Sequence, residues 1–376
     1  MRILIVSEFF RPYIGGIEVL TDHLLPVLVR KGHDVHALTS HGPMPLADEE
    51  SFAGVRVWRH PFRAVIEGKD AEGMLRLRRR LALLIDDLAP DVIHLHGVGP
   101  SLILLLPMLS TSPARVLLQL HQRVFSNENA RESLMAQVVQ RADWVVSVSA
   151  SALAQTRQLF PEITERSAVL PNAVPAPALL PSPLPFAPPR LLCLGRLTTQ
   201  KGFDLALRAV AVLAPRFPDV RVVIAGDGDE RPVLEGLAGS LGIAAHCNWK
   251  GWVSPANVPA VINESTMVIL SSRYEGMPLV AIEAGWMGRP AVASRVDGIG
   301  EVIRHEETGI LVEPENVDEL AAGIERLLQA PEETRRMGAA ARAVVEREFG
   351  WEKCVAAYDD LYLRLGTMAA RPSVVV

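Results

Sequence analysis

Eight prolines fall between residues 171 and 189. Proline fixes φ and lacks an amide N–H, so this stretch suits neither a helix nor a central strand. It should run extended and separate whatever folds on either side of it. The 376 residues are thereby divided near their middle into two parts, each within the usual domain length of roughly 100–200 residues. With 49% hydrophobic and 22% charged residues, each part has enough apolar material for its own core.

Before the prolines, short β-rich runs alternate with helical patterns. The predicted strands are Ile3–Val6, Val35–Thr39, Val55–Arg59, Val92–Leu95, Val116–Leu120, Trp144–Val148 and Ala168–Leu170. Helical periodicity marks Val19–Lys31, Leu75–Leu88 and Ser133–Arg141. After the prolines the alternation restarts at Leu191–Leu194, Val220–Ala225, Cys247–Lys250, Met267–Leu270, Ala291–Ala293 and Ile310–Val312. Several runs are apolar on both faces, as strands of a parallel sheet covered by helices must be. The expected class is α/β, with two Rossmann-like doubly wound parallel-sheet domains. The expected boundaries are 1–172 for the first domain, 173–189 for the linker, 190–350 for the second domain and 351–376 for a terminal helix and tail. The helical pattern there covers Trp351 to Leu365, and Ala369–Val376 reads as frayed. Ligands of such sheets bind at strand carboxyl ends, which places the default site in a cleft between the domains.

Charge and cysteine content exclude several classes. The formal net charge is -5, which argues against nucleic acid as a partner. Residues 1–175 carry 18 Lys+Arg against 18 Asp+Glu, so all of the net charge falls in the later part. Three well-separated cysteines, Cys193, Cys247 and Cys354, give neither a disulfide framework nor a zinc knuckle and fit a cytoplasmic setting. The N-terminal apolar run ends at Ser7-Glu8, too early for a signal peptide. Leu102–Leu109, interrupted by Pro107, falls far short of the roughly 20 residues needed to span a bilayer. Arg76, Arg78, Arg79 and Arg80 lie among Leu75, Leu77, Leu81, Leu83 and Leu84 as a basic amphipathic helix. That pattern serves either a solvated face or peripheral contact with an anionic membrane.

Chemistry concentrates after predicted strands. Arg273-Tyr274-Glu275-Gly276-Met277-Pro278-Leu279-Val280-Ala281-Ile282-Glu283 follows Met267–Leu270 and should open a helix at Pro278. The N-terminus of that helix would offer N–H groups to an anion. Glu275 and Glu283 are eight residues apart, about 12 Å of helical rise, too far for a retaining glycosidase pair. The spacing suits a ligand with hydroxyls at both ends and phosphate between, or simply an ordinary helix with an acidic start. Arg196 and Lys201 follow Leu191–Leu194 and either clamp a diphosphate or are solvated loop charges; the spacing is not that of a Walker loop. Gly15 and Gly16 follow the first strand and either let a phosphate or sugar approach the backbone or simply make a tight turn. His94, His96 and His121 sit at strand ends. No carboxylate accompanies them as a metal ligand, and His121 best suits donation to a substrate hydroxyl. Asp227-Gly228-Asp229 reads as a turn with a helix N-cap rather than a metal chelator.

Together these segments resemble the retaining GT-B glycosyltransferases of family 4 (glycosyl transferases group 1). The resemblance runs in order through Gly15-Gly16-Ile17-Glu18, Lys31-Gly32-His33, Asp91-Val92-Ile93-His94, His121, Leu170-Pro171-Asn172, Gly195-Arg196 with Lys201-Gly202, Gly226-Asp227-Gly228, Gly251-Trp252-Val253, Glu275 with Glu283, Asp297-Gly298-Ile299 and Glu301. It implies that Arg196 and Lys201 hold the diphosphate of a nucleotide-sugar, helped by Gly276 and the backbone of Met277, Pro278, Leu279 and Val280. It implies that Glu283 binds the ribose, Glu275 the donor sugar, and the backbone at Gly251 and Val253 the base. Gly15, Gly16 and His121 would act from the first, acceptor-side domain, with His121 near the reacting carbon. Glu275, His121, Arg196 and Lys201 would be the catalytic groups. The leaving phosphate would take the acceptor's proton, with no metal or other cofactor needed for catalysis, and the terminal helix would cross back to the first domain. The expected activity is hexosyl transfer to a saccharide or lipid-linked acceptor in polysaccharide or glycolipid synthesis, in the cytoplasm or at the inner face of the membrane. A sugar-nucleotide epimerase or a non-catalytic nucleotide-sugar binder would share the same phosphate site. The proline-rich linker and Trp286, where relatives often carry a smaller residue, depart from the family pattern.

Overall fold

A computed structural model of the chain describes residues 1–124 and 133–368; the expected frayed tail Ala369–Val376 lies outside the described residues. The chain divides into two compact units, Met1–Pro171 with Glu352–Val376, and Asn172–Trp351.

The first unit holds eight strands: β1 (Arg2–Ser7), β2 (Asp34–Ser40), β3 (Glu49–Phe52), β4 (Val55–His60), β5 (Val92–His96), β6 (Arg115–Leu120), β7 (Trp144–Ser147) and β8 (Ser167–Val169). Their order is β3-β4-β2-β1-β5-β6-β7-β8. Every neighbouring pair is parallel except β3 with β4, an antiparallel hairpin at the edge. Ile3, Leu4 and Ile5 of β1 are all fully buried, so both faces of this strand are covered. The helix Ala71–Leu88 shows how the flanking layer is specified. Leu77, Leu81, Ile85 and Leu88 recur every three or four residues and are its buried face, while the Asp70 side chain caps its start by accepting from the Gly73 N–H at 2.8 Å. The apolar run expected to break at Pro107 instead forms one helix, Ser101–Thr111, with Leu102, Leu104, Leu105 and Leu109 buried. Burial of these side chains, each contributing about 1.5–3 kcal/mol, offsets the hydrogen bond that the proline removes.

The second unit holds β9 (Arg190–Leu194), β10 (Arg221–Ala225), β11 (Cys247–Gly251), β12 (Met267–Leu270), β13 (Ala291–Ser294) and β14 (Gly309–Val312), all parallel in the order β11-β10-β9-β12-β13-β14. In both sheets the winding reverses beside the first strand, between β1 and β5 and between β9 and β12. Loops leaving the carboxyl ends of strands at such a reversal diverge and open a crevice.

Residues 173–189 form neither helix nor strand, as their prolines dictate. They are not a free tether, however, because they belong to the second unit and are fastened to it. The Ser182 N–H donates to Asn263 Oδ1 at 2.8 Å, and Asn263 Nδ2 donates to the Leu180 carbonyl at 3.1 Å. Arg289, only 1% exposed, donates to the carbonyls of Ser182 (2.8 Å), Ser265 (3.0 Å), Met287 (2.7 Å) and Asn263. Burial lowers its pKa to about 10, so it stays charged at neutral pH and draws the carbonyls of three segments around one cation.

From Glu352 onward the chain belongs to the first unit. On the terminal helix, Trp351–Thr367, Tyr358 donates to Gln119 Oε1 at 2.8 Å and Tyr362 pairs with His94 Nδ1 at 2.7 Å. Asp359 accepts from Lys31 and pairs with His33, both at 2.7 Å.

Candidate functional site

In the second unit, the two loops at the winding reversal lie back to back. Gly202 (φ +61°) ends the β9 loop, and a Cβ there would fall 2.0 Å from the Ser271 carbonyl oxygen just beyond β12. Only glycine permits this approach, which Ser271 Oγ closes by donating to the Gly202 carbonyl at 2.7 Å. The approach brings Lys201 Nζ to 2.5 Å from Glu275 Oε1. Ser272 Oγ donates to the same carboxylate oxygen at 2.8 Å, and the Glu275 N–H donates to Asp297 Oδ2 at 3.2 Å. Glu275 is buried. Arg196, on the same β9 loop, is exposed and has no ion pair among the described residues.

Gly276, Met277 and Pro278 lead into the helix Leu279–Trp286, with Pro278 as its N-cap rather than its first residue. No side chain caps this end, so its orphan N–H groups and partial positive charge remain available to an anion. Met277 and Leu279 bury their side chains, which leaves backbone as what this turn offers together with Val280. Asn172 Nδ2 steadies the turn by donating to the Met277 carbonyl at 2.8 Å. The Glu283 carboxyl group, one turn further along, has no hydrogen-bond partner among the described residues, and burial pushes its pKa up to about 7. Gly251 and Val253 sit at the carboxyl end of β11, where the Gly251 carbonyl accepts from the Gly226 N–H at 2.7 Å. Lys201, Arg196, Glu275 to Val280, Glu283 and Gly251 to Val253 therefore share one edge of one sheet.

In the first unit, Gly15 is the N-cap of the helix Gly16–Arg30 with extended backbone (φ −168°). Neither glycine needs a left-handed conformation, and a Cβ on Gly16 would meet nothing within 4 Å. What Gly16 contributes is open space beside a helix N-terminus. His94 and His96, on alternate residues of β5, lie with ring centroids 4.1 Å apart and planes tilted by 36°, and His96 stacks on His121 at 5.2 Å. His96 Nδ1 is 3.1 Å from His121 Nε2, a separation that requires one ring to donate to the other. Burial pulls His94 and His121 down to about 3 and His96 well below its usual range, so the row is neutral at physiological pH. Among the described residues no group of three His, Cys, Asp or Glu is placed to hold a metal ion.

Two family models match consecutive stretches of the chain. "Glycosyltransferase Family 4" covers residues 14–176, and "Glycosyl transferases group 1" covers residues 182–344. The chain belongs to glycosyltransferase family 4. Among its relatives are the glycogen synthase of Mycobacterium tuberculosis, 29% identical over 96% of this chain and 94% of that protein, and a GDP-mannose-dependent alpha-(1-6)-phosphatidylinositol monomannoside mannosyltransferase of the same organism, 28% identical over 98% and 100%. The sucrose-phosphate synthase structure from Thermosynechococcus elongatus superposes with a TM-score of 0.81 at 21% identity, covering 97% of this chain and 98% of the other. The fold of the glycosyltransferase is GT-B with Rossmann-like units, and the protein is an enzyme of sugar transfer.

Other expectations sort differently in this glycosyltransferase. Asp227 does make a turn, its Oδ1 accepting from the Gly228 N–H at 2.9 Å, but it caps no helix. The next helix, Arg231–Ser240, has Glu230 at its N-cap position without a side-chain bond. Of the basic cluster, Arg76 is paired with Glu72 and Arg78 is half-buried, whereas Arg79 and Arg80 are exposed without an ion pair among the described residues. Leu75 (54% exposed) and Leu83 (65%) fall on the same helical stripe as Arg79. No described helix is long and apolar enough to cross a membrane. Sequence reading gave no role to Ser272, Asp297 or Arg273. The first two hold Glu275 from three residues before it and 22 after it, and no local spacing announces the second of these.

Proposed function

We propose that this glycosyltransferase moves a hexosyl group, with retention, from a nucleoside-diphosphate sugar to a saccharide or glycolipid acceptor. The observation that carries the reading is the Lys201–Glu275 pair beside the uncapped start of the helix Leu279–Trp286. Arg196, Lys201 and that helix N-terminus supply positive charge for the diphosphate. This charge stabilises the leaving group as the glycosidic bond breaks, an electrostatic role that often dominates catalysis. Glu275 accepts hydrogen bonds from the sugar and Glu283 from the ribose, and the backbone at Gly251 and Val253 meets the base. Gly15 and Gly16 admit the diphosphate to the first unit's backbone, and neutral His121 serves as a hydrogen-bonding group toward the sugar. The acceptor hydroxyl attacks while the departing phosphate takes its proton, so no metal enters this scheme.

The finer assignment is a lipid-linked acceptor in cell-surface polysaccharide or glycolipid synthesis, met at the cytoplasmic face of the membrane. Exposed Arg79 and Arg80, set between Leu75 and Leu83, support it by offering cations for anionic headgroups and apolar side chains for the interface.

A thermal-shift screen against UDP-, GDP- and ADP-sugars identifies the donor, and NMR of the product reads the anomeric configuration. Stabilisation by at least one donor and a product with the donor's configuration are expected; an inverted product would overturn the reading. Flotation with vesicles containing anionic lipid, lost in an Arg79→Glu/Arg80→Glu variant, tests the membrane assignment.

A further inference from the structure

Arg273 lies two residues before Glu275 and points away from it into a set of contacts of its own. Its guanidinium grips Asp204 with two bonds, Nη1 to Oδ1 at 3.0 Å and Nη2 to Oδ2 at 2.9 Å. Nη1 also donates to the Thr199 carbonyl at 2.7 Å, and Nε to Glu315 Oε1 at 3.0 Å. The Arg273 N–H donates to the Gln200 carbonyl at 2.8 Å, and Gln200 Nε2 donates back to the Tyr274 carbonyl at 3.1 Å. Thr199, Gln200 and Asp204 flank Lys201; Arg273 and Tyr274 precede Glu275. The loop carrying the cation and the loop carrying the carboxylate are thus laced together by groups other than the two that face the ligand.

The lacing matters because the Lys201–Glu275 bond cannot serve as the tie during turnover. A diphosphate beside Lys201 competes for its ammonium, and a sugar hydroxyl competes for Glu275. When that ion pair opens, the two freed side chains still have to be held at a fixed separation. A bidentate guanidinium–carboxylate pair combines the strength of charge-assisted hydrogen bonds with a fixed geometry. Displacement of a reacting group by about 1 Å can cost around 100-fold in rate.

The geometry points to Arg273, acting through Asp204 and the Thr199–Gln200 backbone, as a positioning residue that sets Lys201 against Glu275 once the donor has separated them. The inference rests on the assignment of Lys201 and Glu275 to the donor site.

The test is a double-mutant cycle read as nucleoside diphosphate released from whichever of UDP-glucose, GDP-mannose and ADP-glucose gives turnover. Arg273→Ala should lower kcat/KM roughly 10- to 100-fold in the wild-type background but under about 3-fold in Lys201→Ala, because a positioning residue has nothing to position once its target is gone. Arg273→Lys, which keeps the charge without the fork, should fall between wild type and Arg273→Ala. The exchange Asp204→Arg/Arg273→Asp should recover part of the loss. Equal losses in both backgrounds, or full activity in Arg273→Ala, overturn the inference while leaving the donor site intact. Should Arg273→Ala fail to fold, the cycle is run with Arg273→Lys, and an equal loss in both backgrounds is again the overturning result. Full activity in Lys201→Ala, or no turnover with any of the three donors, overturns the donor-site assignment and this inference with it.

Discussion

At the carboxyl ends of β5 and β6 stand histidines held neutral; at the ends of β9 and β12, Lys201, Glu275 and Arg273 are ions held in pairs. The sheets share a winding and a place of reversal, so topology does not account for the contrast. Partners do. Among the described residues, His94, His96 and His121 neighbour one another, Tyr358, Tyr362 and Gln119, and none has a carboxylate partner to favour its protonated form. Lys201 and Arg273 each have a carboxylate within hydrogen-bonding distance. Removing an unpaired charge from water costs several kcal/mol, which a histidine avoids by deprotonating and a lysine avoids by pairing. The first unit can therefore contribute hydrogen bonds, while the second can bind an anion.

The largest test of this contrast is Lys201→Ala, which should lower kcat/KM for donor turnover by about 100- to 1,000-fold. Glu275→Gln should cost a similar amount with the melting temperature little changed. Full activity in a folded Glu275→Gln protein would break the comparison on its charged side. His121→Ala should cost less, roughly 10- to 100-fold, since one hydrogen bond is removed and no charge. Because His121 is held near 3, the pH–rate profile should lack a step at the ordinary histidine value of about 6.5, and such a step would break the neutral side.

A smaller effect separates the units by the sign of their pH dependence. Glu283 has a folded pKa raised to about 7, so the folded state holds a proton that the unfolded chain releases near pH 4.5. Its contribution to stability is complete below 4.5 and falls away as pH rises through 7. The histidines are lowered, so their contribution is complete above about 6.5 and is lost on acidification. Between these limits the two units should respond to pH in opposite directions. Glu283→Gln should raise the stability of the second unit at pH 8 by on the order of 1–3 kcal/mol and leave it unchanged at pH 4, as measured by hydrogen exchange in β12 and β13. Smallest of all, EDTA should change donor turnover by less than about twofold, because the cations at the proposed diphosphate site are side chains; strict metal dependence would reopen a role for Asp227 and Asp229.

Thirteen of the strands were legible because most are short apolar runs bounded by turn residues, and burial on both faces leaves no other use for such a run; β11 and β8 are less buried and were placed by the alternation around them. β3 was not legible. Glu49-Glu50-Ser51-Phe52 reads as polar loop, and it is a strand because it pairs antiparallel at a sheet edge, where charge is tolerated and even protective. The same limit hid part of the site. Glu275, Lys201 and the helix start are readable since each follows a strand within a few residues. Arg273–Asp204 and Arg289–Ser182 join residues 69 and 107 positions apart, and only the closed fold brings them together. The proline-rich segment was legible as extended, but its fastening to Arg289 was not, because a buried arginine and an exposed one have the same local sequence signature.

The return of the chain to the first unit after Trp351 sets a timetable for synthesis. Domains generally fold as they leave the ribosome, earliest first. Here the second unit is a single uninterrupted stretch and can close while the first still waits for its last helix. Until Tyr358 and Tyr362 emerge, Gln119 and His94 lack the hydroxyls they bond in the finished protein. The nascent first unit therefore exposes an incomplete, histidine-lined face throughout synthesis of the second. Truncation before residue 358 should leave the second unit folded and expose the first to proteases and chaperones.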